Sequence, residues 1–165
     1  MRVTLSPDEV LQASVTGVMR YTQNMRLGRS DAYGADRSRE HGMWISILGA
    51  MGEAATAKAL NRWHFGLGVF RGADVAGVQV RTTRMSPASL ILHKRDKEEN
   101  ASVPYISVIY CGKDNGVENF ELQGWGTPEE LVSDEFWSDP TGQNRPAFFI
   151  PASKLKDISS LRVSQ

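Results

Sequence analysis

Residues 73–83 read ADVAGVQVRTT, and three of them could do chemistry together: the acid Asp74, the amide Gln79 and the guanidinium Arg81. Ala76-Gly77 suits a two-residue turn between two short strands, which sets Val75 opposite Val78 and Asp74 opposite Gln79. Side chains alternate across a strand. Val75, Val78 and Val80 therefore share one face, and Asp74, Gln79 and Arg81 share the other. Directly opposed residues place their Cβ atoms roughly 5 Å apart. Asp74 and Gln79 can then reach one cation, with Arg81 just beyond. An amphipathic hairpin whose polar side faces water satisfies the same pattern, and the hairpin alone does not separate the two.

The second candidate is Glu53, within MWISILGAMGEAATAKAL at residues 43–60. The spacing predicts a helix, with Trp44, Leu48, Met51, Ala55 and Ala59 along one face. Its other side carries Ser46, Gly49, Ala50, Glu53, Ala57 and Leu60, small enough to pack closely on a second element. Glu53 and Lys58 are the only charged residues in that stretch. A charge is rarely buried without a partner. A site role is therefore expected for Glu53, the alternative being a helix-surface glutamate.

These residues need a scaffold. SPDE at residues 6–9 predicts a helix start: Ser6 caps, Pro7 suits the first position and Glu9 completes a capping box. Val10, Leu11, Val15, Val18 and Met19 supply its apolar stripe, and Gly28 its stop. Residues 28–42 read as a polar loop whose Arg29, Arg37 and Arg39 could meet phosphates. LGVFRGADV and VQVRTTR form the hairpin. SLILHK and PYISVIYCG follow as strands joined by a charged turn, RDKEENASV, with a shorter strand near ENFELQGW. TPEEL resembles a capped helix start, and PAFFIPASKLKDISSL closes the chain as a strand and a short helix or turn. Helix, helix, four or five strands, helix and strand predict an α/β (α+β) sandwich rather than alternating βαβ units. One domain over residues 1–165 is expected, helical over 1–61, with the sheet core at 67–126 and a helix and strand at 127–165.

Composition narrows the function. Lys and Arg number 19 and Asp and Glu 19, so the net charge is zero and a general electrostatic coat for nucleic acid is disfavoured. The distribution is uneven. Residues 71–97 carry Arg71, Arg81, Arg84, Lys94, Arg95 and Lys97 against Asp74 and Asp96, while 117–140 carry seven acids and no Lys or Arg. A local basic face follows, or ordinary surface charge. No apolar run is long enough for a membrane span, and the first residues lack a signal-peptide core. The single Cys111 excludes an internal disulfide and fits a reducing cytoplasm; it is expected buried at a strand end. His41, His64 and His93 have no zinc spacing. GLGVFRG leads into a strand, so a dinucleotide loop is excluded. The four tryptophans are expected in packing roles.

Glu53 followed by a D-x4-Q-x-R hairpin resembles the PD-(D/E)XK nuclease superfamily, closest to its small phage-type members. GAMGEAATAKAL, ADVAGVQVRTT, SLILHK, PYISVIY, GW at 124–125 and PAFFIPASKL match it in order across roughly residues 43–157. The resemblance implies a restriction-endonuclease-like core, a mixed central sheet of about five strands flanked by helices. It also implies hydrolysis of DNA phosphodiesters with Mg²⁺ or Mn²⁺. By position, Asp74 matches the metal-binding aspartate and Glu53 the helical glutamate; Gln79 stands where a second acid is usual and Arg81 where lysine is usual. Ala73 replaces the proline usual before the aspartate.

The departures have consequences. Gln79 offers an oxygen without charge, leaving two carboxylates, which suffice for one Mg²⁺. Arg81 stays protonated and cannot be a general base, though it can hold a phosphate. Arg37, Arg39, Arg84 and Lys94 are the expected DNA contacts, and Lys58 or Lys94 could add charge at the site. The expectation is a metal-dependent deoxyribonuclease for phage-type DNA processing, recombination or degradation, working in the cytoplasm (of a host cell if phage-encoded). The alternative is a weakened or inactive nuclease fold acting as a DNA-binding or assembly module. Exo- or endonucleolytic action, double-stranded or branched substrate, and a homodimer all stay open.

Overall fold

The computed structural model describes residues 1–28, 39–62, 73–140, 142 and 144–163. A strand that the sequence reading missed comes first, β1 (Arg2–Leu5), so the N-terminal part is not wholly helical. Helix α1 (Pro7–Arg26) follows with the expected capping box: the Ser6 hydroxyl accepts from Glu9 N–H and the Glu9 carboxylate from Ser6 N–H. Gly28, at φ +60°, leaves the helix in the left-handed region that glycine tolerates. Helix α2 (Arg39–Ala59) starts four residues before the expected position.

After the turn at residues 76–77 come β2 (Gln79–Thr83), β3 (Ser89–Leu92), α3 (Lys94–Asn100), β4 (Tyr105–Asp114), β5 (Val117–Gly126), α4 (Pro128–Leu131), β6 (Trp137–Ser138) and β7 (Ala147–Pro151). The charged stretch expected as a turn is thus helix α3. Its N-terminus is held because the Asp96 carboxylate accepts from His93 N–H. Nor is β5 short. Asn115 and Gly116, both at positive φ, close a tight turn that pairs β5 with β4 along most of its length.

The main sheet has the order β1-β5-β4-β2. It is mixed, because β2 runs parallel to β4 while the other neighbours are antiparallel. Among the described residues it has four strands. β3, β7 and β6 leave to form a separate antiparallel sheet, since Leu90 pairs with Ile150 across the length of the domain. The fold is a mixed α/β sandwich with helices against the main sheet. Among the described residues no helix is long and apolar enough to cross a membrane.

Two cores result. Leu48, Met51 and Ala55 of α2 pack on Val80, Ile106, Val108, Phe120 and Leu122 of the main sheet. Leu90, Leu92, Phe148 and Ile150 enclose Tyr105 in the second.

Helix α1 departs most from expectation. Leu11, Val15 and Met19 are exposed, and the buried face is Ala13, Thr16 and Gly17. The reason is proximity: a Cβ on Gly17 would sit 2.5 Å from the Ile47 Cα, so only small residues fit between α1 and α2. Cys111 is another correction. It lies within β4, not at its end, and is exposed, beside the register shift between Tyr110 and Gly112. Of the hairpin's first strand, residues 67–72 lie outside the described residues, and Val75 alone bridges Val78 in the described part.

Candidate functional site

Helix α2 is buried on two sides, which explains its run of alanine and glycine. Gly52 faces β2 so closely that an added Cβ would overlap the Thr82 side chain. The next residue, Glu53, is only 6% exposed. The close α1–α2 contact at Gly17 brings Arg20, one turn on, over the same spot. Arg20 Nη2 donates to Glu53 Oε2 at 2.7 Å and Nη1 donates to Oε1, a bidentate ion pair. Burial works against the Arg20 charge, yet the Glu53 hydrogen bonds and the Glu53 and Asp74 charges outweigh it and raise its pKa.

Asp74 stands at the edge of the main sheet. Ala76 and Gly77 are both at positive φ and make the expected two-residue turn, with Val75 and Val78 exchanging hydrogen bonds. Asp74 N–H also bonds to Val78, and its carboxylate accepts from Val80 N–H at 2.8 Å. The side chain therefore curls over the start of β2 instead of extending along a ladder opposite Gln79. Burial, then the Glu53 charge, push the Asp74 carboxyl up to about 6, against the Val80 hydrogen bond and the Arg81 and Arg20 charges, which pull it down. The charges of Glu53, Arg20 and Arg81 thus all act on Asp74.

The strand separates them by face. Thr82 points at α2, so Val80 and Thr82 lie on the α2 side and Gln79 and Arg81 on the other. Arg81 stacks over the Tyr105 ring at 5.0 Å and donates to Asp96 Oδ1 at 3.1 Å. Asp96, 5% exposed, also accepts from the Tyr105 hydroxyl at 2.9 Å. Burial, then the Asp96 charge, hold that hydroxyl protonated above the ordinary phenol range. Asp74 sits at the edge between the two faces. The Glu53 and Arg81 charges both act on Asp74, while Gln79 and Arg81 lie on the far face of β2.

No protein-family model, no curated protein and no solved structure matches the chain. The donor set must be judged on its own chemistry. Among the described residues no three His, Cys, Asp or Glu side chains group as a metal cage. Glu53 and Asp74 are two carboxylates whose chemistry suits one hard cation that keeps several waters, while Gln79 starts from the other face of β2. Mg²⁺ commonly accepts such a set.

Of the other expected residues, Arg37 lies outside the described residues and Arg39 is described only as backbone at the start of α2. Arg84 is exposed just past β2. Lys94 heads α3 rather than sitting in a strand, its ammonium 4.7 Å from the Trp137 ring centre. Lys58 is turned to Glu9 and the Thr4 carbonyl, remote from Asp74 in its bonding. The sequence reading missed Arg20 and Asp96. Arg20 had a signal in the stripe Ala13, Thr16, Gly17, Arg20, at helical spacing and too small to be anything but a close contact.

Proposed function

We propose that this chain is a divalent-metal-dependent deoxyribonuclease that hydrolyses DNA phosphodiesters, with Glu53 and Asp74 as the charged ligands of Mg²⁺ or Mn²⁺. The observation that carries the reading is the convergence of two carboxylates from separate elements: Asp74, half-buried beside the start of β2, is pushed up by its partial burial and by the charge of the buried Glu53. Structures seldom bring like charges together in a buried place without a task for them. The resemblance of the D-x4-Q-x-R stretch to PD-(D/E)XK nucleases supports the same assignment.

A cation bound there supplies a more acidic water and polarises the phosphate. The chain's own residues do the rest. Glu53 and Asp74 hold the charge, and Gln79 adds a neutral oxygen. Arg81, kept in place by Asp96 and the Tyr105 ring, presents positive charge to the phosphate and stabilises the charge that grows there. It does not take the proton of the attacking water, because guanidinium does not titrate in this range. Arg84, exposed at the end of β2, is a candidate for neighbouring DNA phosphates. Such an enzyme belongs with DNA in the cytoplasm, of a host cell if phage-encoded.

The test is cleavage of plasmid and branched DNA with Mg²⁺ or Mn²⁺. Wild type is expected to lose strands only with metal, and Asp74→Ala to fall by about 100-fold or more, the scale for removing one group that stabilises charge in the transition state. Equal rates in both would overturn the assignment. Gln79→Glu is expected to tighten metal binding, because it adds a third charge to the ligand set.

One observation favours a second reading. Both Glu53 oxygens are held by Arg20, which suits a nuclease-like fold that binds DNA or assembles with partners without cutting. DNA affinity would then fall with salt while metal caused no strand loss.

A further inference from the structure

The acid pair already contains a cation. Arg20 grips both oxygens of Glu53, and the Glu53 side chain is 8% exposed against 22% for Arg20. A divalent ion bonded to Glu53 and a guanidinium forked onto the same two oxygens compete for those oxygens and repel each other. The charge balance says the same. Glu53, Asp74 and Asp96 carry three negative charges and Arg20 and Arg81 two positive ones, so an added divalent ion turns the cluster net positive unless an anion comes with it. Arg20 is also incompletely used where it stands, because its Nε–H is enclosed with no acceptor among the described residues. A phosphate would satisfy that donor together with the two released from Glu53.

We propose that Arg20 is an internal counter-ion that the divalent cation displaces from Glu53 and that the substrate phosphate then accepts, so that cation and phosphate load the site together. The inference rests on the reading of Glu53 and Asp74 as metal ligands. It makes Arg20 a positioning residue with a stated thermodynamic signature: cation and phosphate each tighten the binding of the other by the same factor.

The experiment measures Mn²⁺ binding by electron paramagnetic resonance, with and without thymidine 5′-monophosphate as a phosphate ester that presents no diester bond to cut. Wild type is expected to bind Mn²⁺ weakly alone and about 10-fold or more tighter with the nucleotide, within the usual range of coupling between two sites. Arg20→Gln is expected to bind Mn²⁺ about 10-fold tighter than wild type without nucleotide, with the coupling reduced to about 2-fold or less. Arg20→Lys, which keeps the charge but loses the fork, is expected to fall between the two and serves if the glutamine variant fails to fold. Asp74→Ala reports on the site itself. If Mn²⁺ binding depends on Asp74 while both Arg20 variants bind and couple as wild type does, the counter-ion role is overturned and the metal assignment stands. If no Mn²⁺ binding depends on Asp74, the metal assignment fails and the counter-ion role with it.

Discussion

Two arginine–carboxylate pairs lie on opposite faces of one edge strand, and they are built differently. On the side away from α2, Asp96 is fixed by its own backbone surroundings: it caps α3 through His93 N–H and takes the Tyr105 hydroxyl as well as Arg81. Arg81 is one donor of several there, and its side chain is 32% exposed. On the α2 side, Glu53 is held by a fork from a helix packed so closely that Gly17 admits no Cβ. The first pair is a helix cap that an arginine joins. The second exists because two helices were brought together around it. An acid tied into a backbone cap is poorly placed to change partners, whereas one held by a side chain can exchange guanidinium for another cation.

Removing each acid tests that contrast, and the effects should be the largest in the molecule. Glu53→Ala leaves Arg20 charged and mostly enclosed, and breaking one partner of a buried pair costs about 3–5 kcal/mol. Asp96→Ala strands the Tyr105 hydroxyl and the His93 N–H, at about 1–3 kcal/mol for a lost buried acceptor, while the more exposed Arg81 can turn to water. Urea unfolding of both variants measures the difference. An Asp96 variant as unstable as the Glu53 variant would show that the two pairs are equally structural.

The asymmetry was only half legible in the sequence. Glu53 stood out because a lone acid among Ala and Gly on a helix has no solvent-face company, and its burial follows. The turn at Ala76-Gly77 was legible too, since two residues between valines leave one way to pair. Arg20 was not, because a reading by hydrophobicity selects Leu11, Val15 and Met19, and those point to solvent. The contact face of α1 is marked by smallness, not greasiness. Asp96 was hidden because KRDKEEN has no apolar residue and so no helical period to detect; its helix is held from the His93 end by hydrogen bonds. The second sheet rests on pairings between residues some sixty apart, Leu90 with Ile150 among them, which local pattern does not encode. Gln79 and Arg81 share a face of β2 as the alternation predicts, but Asp74 does not extend alongside them, because it spans the turn to reach Val80 N–H.

Asp74 links the two faces, and pH sharpens its role. Its carboxyl is raised from the ordinary 3.8 to about 6. The folded chain therefore holds a proton there that the unfolded chain releases near pH 4. The cost of ionising it in the fold is absent below about pH 4, grows as pH rises, and is complete above about pH 6. Asp74→Asn keeps an oxygen for Val80 N–H and removes the charge. It should be more stable than wild type above pH 6, by on the order of 1–3 kcal/mol, with the gain vanishing near pH 4. Melting temperatures of both proteins from pH 4 to 8 measure this. A variant that is less stable at pH 7.5 would mean that Arg20 and Arg81 hold the Asp74 charge more strongly than burial and Glu53 oppose it.

The smallest effects concern the outer cations, and they decide which face meets DNA. Arg84 is exposed just beyond the C-terminal end of β2, where its charge acts on Tyr110 of β4. Lys94 is exposed too, but its ammonium lies over the Trp137 ring, a contact worth about 0.5–1 kcal/mol at an exposed position. Arg84→Ala should therefore leave stability within about 0.5 kcal/mol, as surface changes do, and Lys94→Ala should cost slightly more. DNA binding should rank them the other way. Losing one phosphate contact lowers the slope of log affinity against log salt by about 0.9. That loss is expected for Arg84→Ala, whereas the Lys94 variant should keep the wild-type slope because its charge is already engaged with Trp137. Titrating a short duplex at several salt concentrations gives both slopes. A reduced slope for Lys94→Ala and none for Arg84→Ala would move the DNA from the end of β2 to the start of α3.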